Sequence, residues 1–292
     1  VVTSVFATLG GAAMAWLVYR SDFRFKRSLV ASVGLSFFFP GYILGMAWVI
    51  LGSPGGSFND VLEHQLGPDV IRFDIYSATG IIWIQVLHIL PFAFFTIRGP
   101  LISMDSSLEE AAYASGGTPW QVVCRITVPL MIFPMLSSLL LCFVLSVEQF
   151  AIPAMVGIPG HVHTLATELY LLTSFSPSNT GLAAAVGLSM SAVTGLSIFA
   201  QRRIVHRRMA PTVTGRGYRV RELSLGRWRW VANVVCLFYV LMSFIIPSLS
   251  LLYTSAIKYF VANPLEAAWT FRNYVQLWDN PGTLRAFWNT VL

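Results

Sequence analysis

Long apolar runs separated by short polar stretches dominate the chain. The hydrocarbon core of a bilayer is about 30 Å thick and a helix rises about 1.5 Å per residue, so roughly 20 apolar residues are needed to cross it. Runs at 1–19, 28–51, 75–97, 130–147, 181–200 and 230–257 meet or approach that length, and a seventh begins near Arg285 and is cut off at Leu292. The pattern predicts an all-α fold, a polytopic transmembrane helix bundle of six spans plus a truncated seventh. A signal peptide is a poor reading of the first run, because Arg20, Arg24, Lys26 and Arg27 follow the apolar stretch instead of preceding it. It reads as a helix that lacks its beginning. With no initiator Met and a closing segment that has barely begun, the chain is expected to be an internal fragment of a longer polypeptide.

Composition sharpens this picture. Of 292 residues, 55% are hydrophobic and 11% charged, against roughly 25% charged in an ordinary soluble domain. A mean hydropathy of +0.67 also excludes disorder, which requires too little apolar surface to bury. Cys124, Cys142 and Cys236 lie far apart, so neither a disulfide framework nor a zinc site is suggested. Lys and Arg in short loops are retained on the cytoplasmic side. If the first helix runs outside to inside, the inner loops hold 15 of the 19 basic residues and the outer ones only Arg72, Lys258, Arg272 and Arg285. The net charge of +6 is therefore mainly a topology signal, and no nucleic-acid partner is expected. The outer loop 52–74 carries Asp60, Glu63, Asp69 and Asp74, as befits a solvated face.

Polar groups at membrane depth are functional candidates by default. Gln85 and His88 share a helix face three residues apart, ahead of Pro91, which frees a backbone carbonyl. Glu148 and Gln149 sit at the outer end of the fourth span. These four are candidate pathway-lining residues, and helix packing is the alternative reading for His88. His161 and His163 are two imidazoles alone in a loop, read as solvated rather than metal-binding. Gly187, Ser191 and Gly195 place small residues at four-residue spacing in the fifth span, a face expected to pack closely on another helix. Pro40, Pro91 and Pro247 fall within spans, where neighbouring helices must satisfy the freed carbonyls.

The most specific segment is the inner loop from Asp105 to Pro129. Ser106 with Glu109, and Thr118 with Gln121, have capping-box spacing, and Pro119 stands at the favoured first helical position. Gly116 and Gly117 lie between, where a left-handed residue ends a helix. The segment predicts helix, glycine turn, helix, with Ala111, Ala112, Val122, Val123 and Ile126 available as apolar contacts. Such a loop either docks in a groove of another protein or packs as a lid on its own bundle.

Glu110-Ala111-Ala112, three residues, Gly116, nine residues, then Ile126, Val128 and Pro129 resembles the EAA loop of binding-protein-dependent ABC importer permeases, with Val128 in place of the usual Leu. The resemblance implies that this loop seats in a cleft of an ATPase subunit, and that Glu110 and Gly116 matter most for that contact. Ser146 to Ala154, followed by Gly157, resembles the ferric-iron-type branch, whose relatives also handle thiamine, phosphonates, polyamines and sulfate. Some members fuse two six-helix halves. Residues 1–200 would then hold helices two to six of the first half, with the coupling loop at 98–129. Residues 201–229 would be a basic inner linker, and 230–292 the first helix and the start of the second helix of the next half.

The resemblance implies a transport subunit of the bacterial inner membrane with no cofactor of its own. Its partners would be a dimer of ABC ATPase subunits and an extracytoplasmic binding protein, and its cargo ferric iron. The only lysines, Lys26 and Lys258, follow Phe25 and Ile257, so no phosphate-binding loop ending in Gly-Lys is present. ATP would be hydrolysed by a partner chain. An ion-coupled secondary carrier is the alternative, with His88 as its mid-span candidate. A membrane enzyme would call for a cluster of His, Asp, Glu or Cys near one interface, and none is seen in the sequence.

Overall fold

A computed structural model describes residues 1–67, 73–104, 107–208, 224–261 and 267–292. Among the described residues the regular structure is helical, apart from one antiparallel bridge between Ile257 and Trp269. Among these residues, five helices are long and apolar enough to cross a membrane, or six if a bent pair is counted as one span.

The first span is α1 (Val2–Arg20). The expected span at 28–51 is instead two helices, α2 (Lys26–Phe38) and α3 (Gly41–Gly52). Phe39 is extended, as the residue before a proline tends to be, and Pro40 has φ −61° and ψ 136°. From Lys26–Phe38 to Gly41–Gln65 the path bends by 97°. At 13 and 12 residues each piece is about 20 Å long or less, so neither crosses alone, and only counted as one do they make a sixth candidate span. Pro40 thus breaks the span rather than kinking it. A short α4 (Ser57–Leu66) lies in the loop that follows.

Ser77 then caps α5 (Ala78–Ser103) by accepting from the Gly80 amide at 3.1 Å. Pro91 lies inside this helix and cannot donate to the Leu87 carbonyl four residues back. The Tyr239 hydroxyl donates to that carbonyl instead, at 3.3 Å. Pro91 is accommodated by a neighbouring helix, as the sequence reading required.

Two short helices, α6 (Ser107–Ala114) and α7 (Pro119–Val122), lead through a π-helical turn at Val123–Thr127 into α8 (Val128–Glu148). Next come α9 (Ala151–Val156), α10 (Leu165–Ser174) and α11 (Thr180–Arg208). The last span is α12 (Arg229–Val240), a π-helical turn at Leu241–Ile245, and α13 (Ile246–Ser255). Both π-turns stand two residues before a proline, Pro129 and Pro247. Widening the helix by one residue relieves the clash between the proline ring and the preceding turn, and shifts the ladder past the missing donor.

Helices α1 and α5 run parallel in constant register, with Thr3 bonded to Gln85, Gly11 against Ala93, and Arg20 bonded to Leu101. Ala7, Gly11 and Ala15 form the close-contact stripe, and a Cβ on Gly11 would stand 2.7 Å from both the Ala93 Cβ and the Phe94 backbone nitrogen. The expected stripe in the fifth span does not pack. A Cβ on Gly187 or Gly195 of α11 would meet nothing within 4 Å, and Ser191 is exposed. Instead α11 reaches α8 through Gln201, whose amide donates to Ser137 Oγ at 3.2 Å.

The α12–α13 span lies along α2, with Ser36 and Ser243 hydroxyls 2.9 Å apart. At its entry Asp22 accepts from the Leu225 amide at 3.0 Å and pairs with Arg229. The Leu225 amide and then the Arg229 guanidinium hold the Asp22 carboxyl below its ordinary value. A depressed carboxylate stabilises this contact above its unfolded pKa and ceases to do so as pH falls through the folded one. Protection of the Leu225 amide, measured against its intrinsic exchange rate at each pH, should therefore be high at neutral pH and fall below about pH 4, the usual aspartate range. Asp22→Asn should show no such change in protection across that window.

The expected seventh span corresponds to α15 (Pro281–Val291), which begins before Arg285 and follows α14 (Arg272–Asp279). Its 11 residues are all exposed or partly exposed, and it is too short to cross alone.

Candidate functional site

The basic ends of α1, α5 and α8 meet beneath the helix-turn-helix loop. Its turn closes as a Schellman motif: the Gly117 amide donates to Ala112 and the Gly116 amide to Tyr113, at 2.9 and 3.0 Å. Gly116 has φ +84°, a left-handed conformation that glycine adopts without strain. The second capping box forms as expected, with Thr118 N–H donating to Gln121 Oε1 at 2.9 Å and Gln121 N–H to Thr118 Oγ1 at 3.4 Å. The box at Ser106 lies outside the described residues.

The loop has two faces. Leu108, Ala111, Ser115 and Gly116 are exposed, and so is Trp120, at 76%. Glu110, Ala112 and Ile126 are half-buried and Pro129 is exposed. Val122, expected as a free apolar contact, is buried at 2% and packs inward. The inner face is organised by Glu109, which sequence reading treated only as a capping residue. Its Oε2 accepts from Arg20 Nη1 at 3.0 Å and its Oε1 from Thr127 Oγ1 at 2.6 Å. Arg20 Nη2 also donates to the Leu101 and Met104 carbonyls at 2.8 and 2.9 Å, groups left without helical partners at the end of α5.

The four polar candidates at membrane depth separate. Gln85 is 4% exposed and its Oε1 accepts from Thr3 and Ser146 hydroxyls, both at 3.2 Å, tying α1, α5 and α8 together. His88 and Gln149 converge on the break at Pro40: a Cβ on Gly41 would lie 2.7 Å from Gln149 Nε2 and 3.3 Å from His88 Nε2. Glu148 is exposed at the last turn of α8. In the loop beyond, His163 faces Glu168 at 3.1 Å on an exposed surface. No group of three or more potential metal-ligating side chains occurs among the described residues.

Among the described residues, five or six candidate spans, with a folded loop beneath the basic ends of three of them, define a multi-pass α-helical membrane protein. The chain belongs to the family of binding-protein-dependent transport system inner membrane components, whose model matches residues 7–211. It is a transmembrane component of the inner membrane and not a catalytic subunit. The chain is 28% identical over 190 residues to the putative ferric transport system permease protein FbpB 1 of Haemophilus influenzae, covering 64% of this chain and 29% of that one. It is 27% identical over 208 residues to the ferric transport system permease protein FbpB of Actinobacillus pleuropneumoniae, covering 70% and 30%. Identity to the sulfate transport system permease protein CysT of Escherichia coli is 27% over 203 residues, covering 68% and 70%. The chain therefore spans less than a third of the length of the two ferric relatives. Among solved structures, an inward-facing MetNI methionine ABC transporter superposes with a TM-score of 0.53 at 20% identity, covering 70% of this chain and 88% of that one. A bacterial alginate ABC transporter in complex with its periplasmic protein gives 0.53 at 18%, covering 73% and 78%. These likenesses concern the fold.

Proposed function

We propose that the chain is the permease part of an ATP-driven importer. A substrate delivered by an extracytoplasmic binding protein crosses the bundle by alternating access, while a separate pair of ATPase subunits hydrolyses ATP. The observation that carries this reading is the loop at the basic face, a capped helix-turn-helix with Leu108, Ala111 and Trp120 presented outward. Exposed aromatic and aliphatic side chains on a rigid projection suit a partner's cleft. The family match ending at 211 supports residues 201–229 as a linker between two halves, with 230–292 opening the second. His88 and Gln149, meeting at the Pro40 break, are the proposed pathway residues, because a discontinuous helix leaves backbone groups free at membrane depth. Gln85 is assigned to packing.

The proposed cargo is ferric iron, supported by the two ferric relatives. Sulfate is the second reading, supported by the sulfate relative that the chain covers to 70% of its length.

The test is uptake into vesicles holding the full polypeptide, its ATPase and its binding protein, supplied in parallel with radiolabelled ferric iron and sulfate. Uptake should survive collapse of the proton gradient and stop when ATP is depleted. The opposite pattern would make it an ion-coupled carrier. Replacing Glu110 by Arg together with Gly116 by Val should leave the protein in the membrane and lower ATP-dependent uptake at least tenfold. Undiminished uptake by that double variant would remove the loop from the mechanism.

A further inference from the structure

Two adjacent glutamates in α6 face different ways. Successive residues of a helix are turned by about 100°. Glu109 points into the bundle and is 9% exposed, whereas Glu110 stays half-buried at the rim. The Glu109 carboxylate is divided between two elements, with one oxygen on Arg20 at the end of α1 and the other on Thr127 in the π-turn that roots α8. Through the same guanidinium the carbonyls of Leu101 and Met104 are bound, so α5 is included. One side chain of the loop therefore holds the inner ends of three membrane helices.

We propose that Glu109 is the positioning residue that transmits movement of the loop to the bundle, and that Glu110 serves the partner contact. The proposal rests on the reading of the loop as an ATPase seat. Burial of this pair is not explained by stability. Taking both charges out of water is costly, and apolar residues of similar volume often do as well or better. What the ion pair supplies, and an apolar contact does not, is direction. Charge-assisted bonds hold Arg20 and the carboxylate at one distance and angle, so displacement of α6 pulls on α1 and α5 instead of sliding past them. The Thr127 bond, the shortest of the set at 2.6 Å, fixes the α8 root to the same point. A hydrophobic contact, being non-directional, would permit the slip.

The experiment uses the complete transporter in proteoliposomes, with ATPase retention, ATP hydrolysis and uptake measured on the same preparation. Glu109→Gln should retain the ATPase subunits and their hydrolysis while uptake per ATP falls about tenfold or more. Thr127→Val, which leaves the ion pair in place, should lower the same ratio several-fold. Glu110→Gln should instead weaken ATPase retention. A merely structural role would reduce uptake and hydrolysis together and leave their ratio unchanged, which would overturn the proposal. If Glu109→Gln fails to accumulate in the membrane, the ratio in Thr127→Val decides. A wild-type protein that retains no ATPase overturns the functional reading and this proposal with it. ATPase retention together with a wild-type ratio of uptake to ATP hydrolysed in both Thr127→Val and Glu109→Gln overturns the proposal alone.

Discussion

Gly11→Leu should remove the protein from the membrane, and Gly11→Ala should already lower its thermal midpoint in detergent by several degrees. On an open helix face alanine is favoured over glycine by about 1 kcal/mol, so the sign of the effect reports the space available. At Gly11 there is none. The new methyl would stand 2.7 Å from the Phe94 backbone nitrogen and from the Ala93 Cβ, and neither can rotate away. Overpacking of this kind costs about 1–3 kcal/mol, and a leucine would drive α1 and α5 apart along their whole contact. Gly187→Ala is the control: its Cβ meets nothing within 4 Å, so the midpoint should hold or rise. Equal behaviour of the two alanine variants would contradict the described α1–α5 interface.

Arg20→Ala should be the most damaging single charge removal. It strands the Glu109 carboxylate at 9% exposure and leaves the Leu101 and Met104 carbonyls without their donor. Breaking one side of a buried pair costs about 3–5 kcal/mol, whereas replacing both partners by apolar residues is often neutral. Arg20→Met combined with Glu109→Leu should therefore regain most of the thermal midpoint lost in Arg20→Ala. A double variant as unstable as the single one would mean that the pair itself, and not the stranded charge, carries the stability.

What could be read from the chain alone divides by distance along it. The turn at Gly116 and the box at Thr118 and Gln121 were legible, because their partners lie within five residues and backbone chemistry decides them. The tie between Arg20 and Glu109 spans 89 residues and that between Tyr239 and Leu87 spans 152. Nothing local announces either. Small residues at four-residue spacing occur in α1 and again in α11, and spacing states only that a backbone can be approached closely. It does not say by what, which is why Gly187 and Gly195 looked like the contact and Ala7, Gly11 and Ala15 went unremarked. Pro40 and Pro91 are the same signal with different outcomes. The carbonyl freed by Pro91 meets the Tyr239 hydroxyl and α5 continues, while Phe39 ahead of Pro40 goes extended and the helix ends. Trp120 was missed because an exposed tryptophan has meaning only once the loop's two faces are known.

The helix that leaves the loop carries a π-turn at Val123–Thr127 and an interior proline, Pro134, on its way to the far side of the membrane. From Trp120 to Glu148 it runs for 29 residues, about 43 Å, and it is packed in nearer its Glu148 end, where Ser138 and Cys142 are fully buried. The loop at one end and Gln149, beside His88 and Gly41, at the other are thus the two ends of a single stretch of helix.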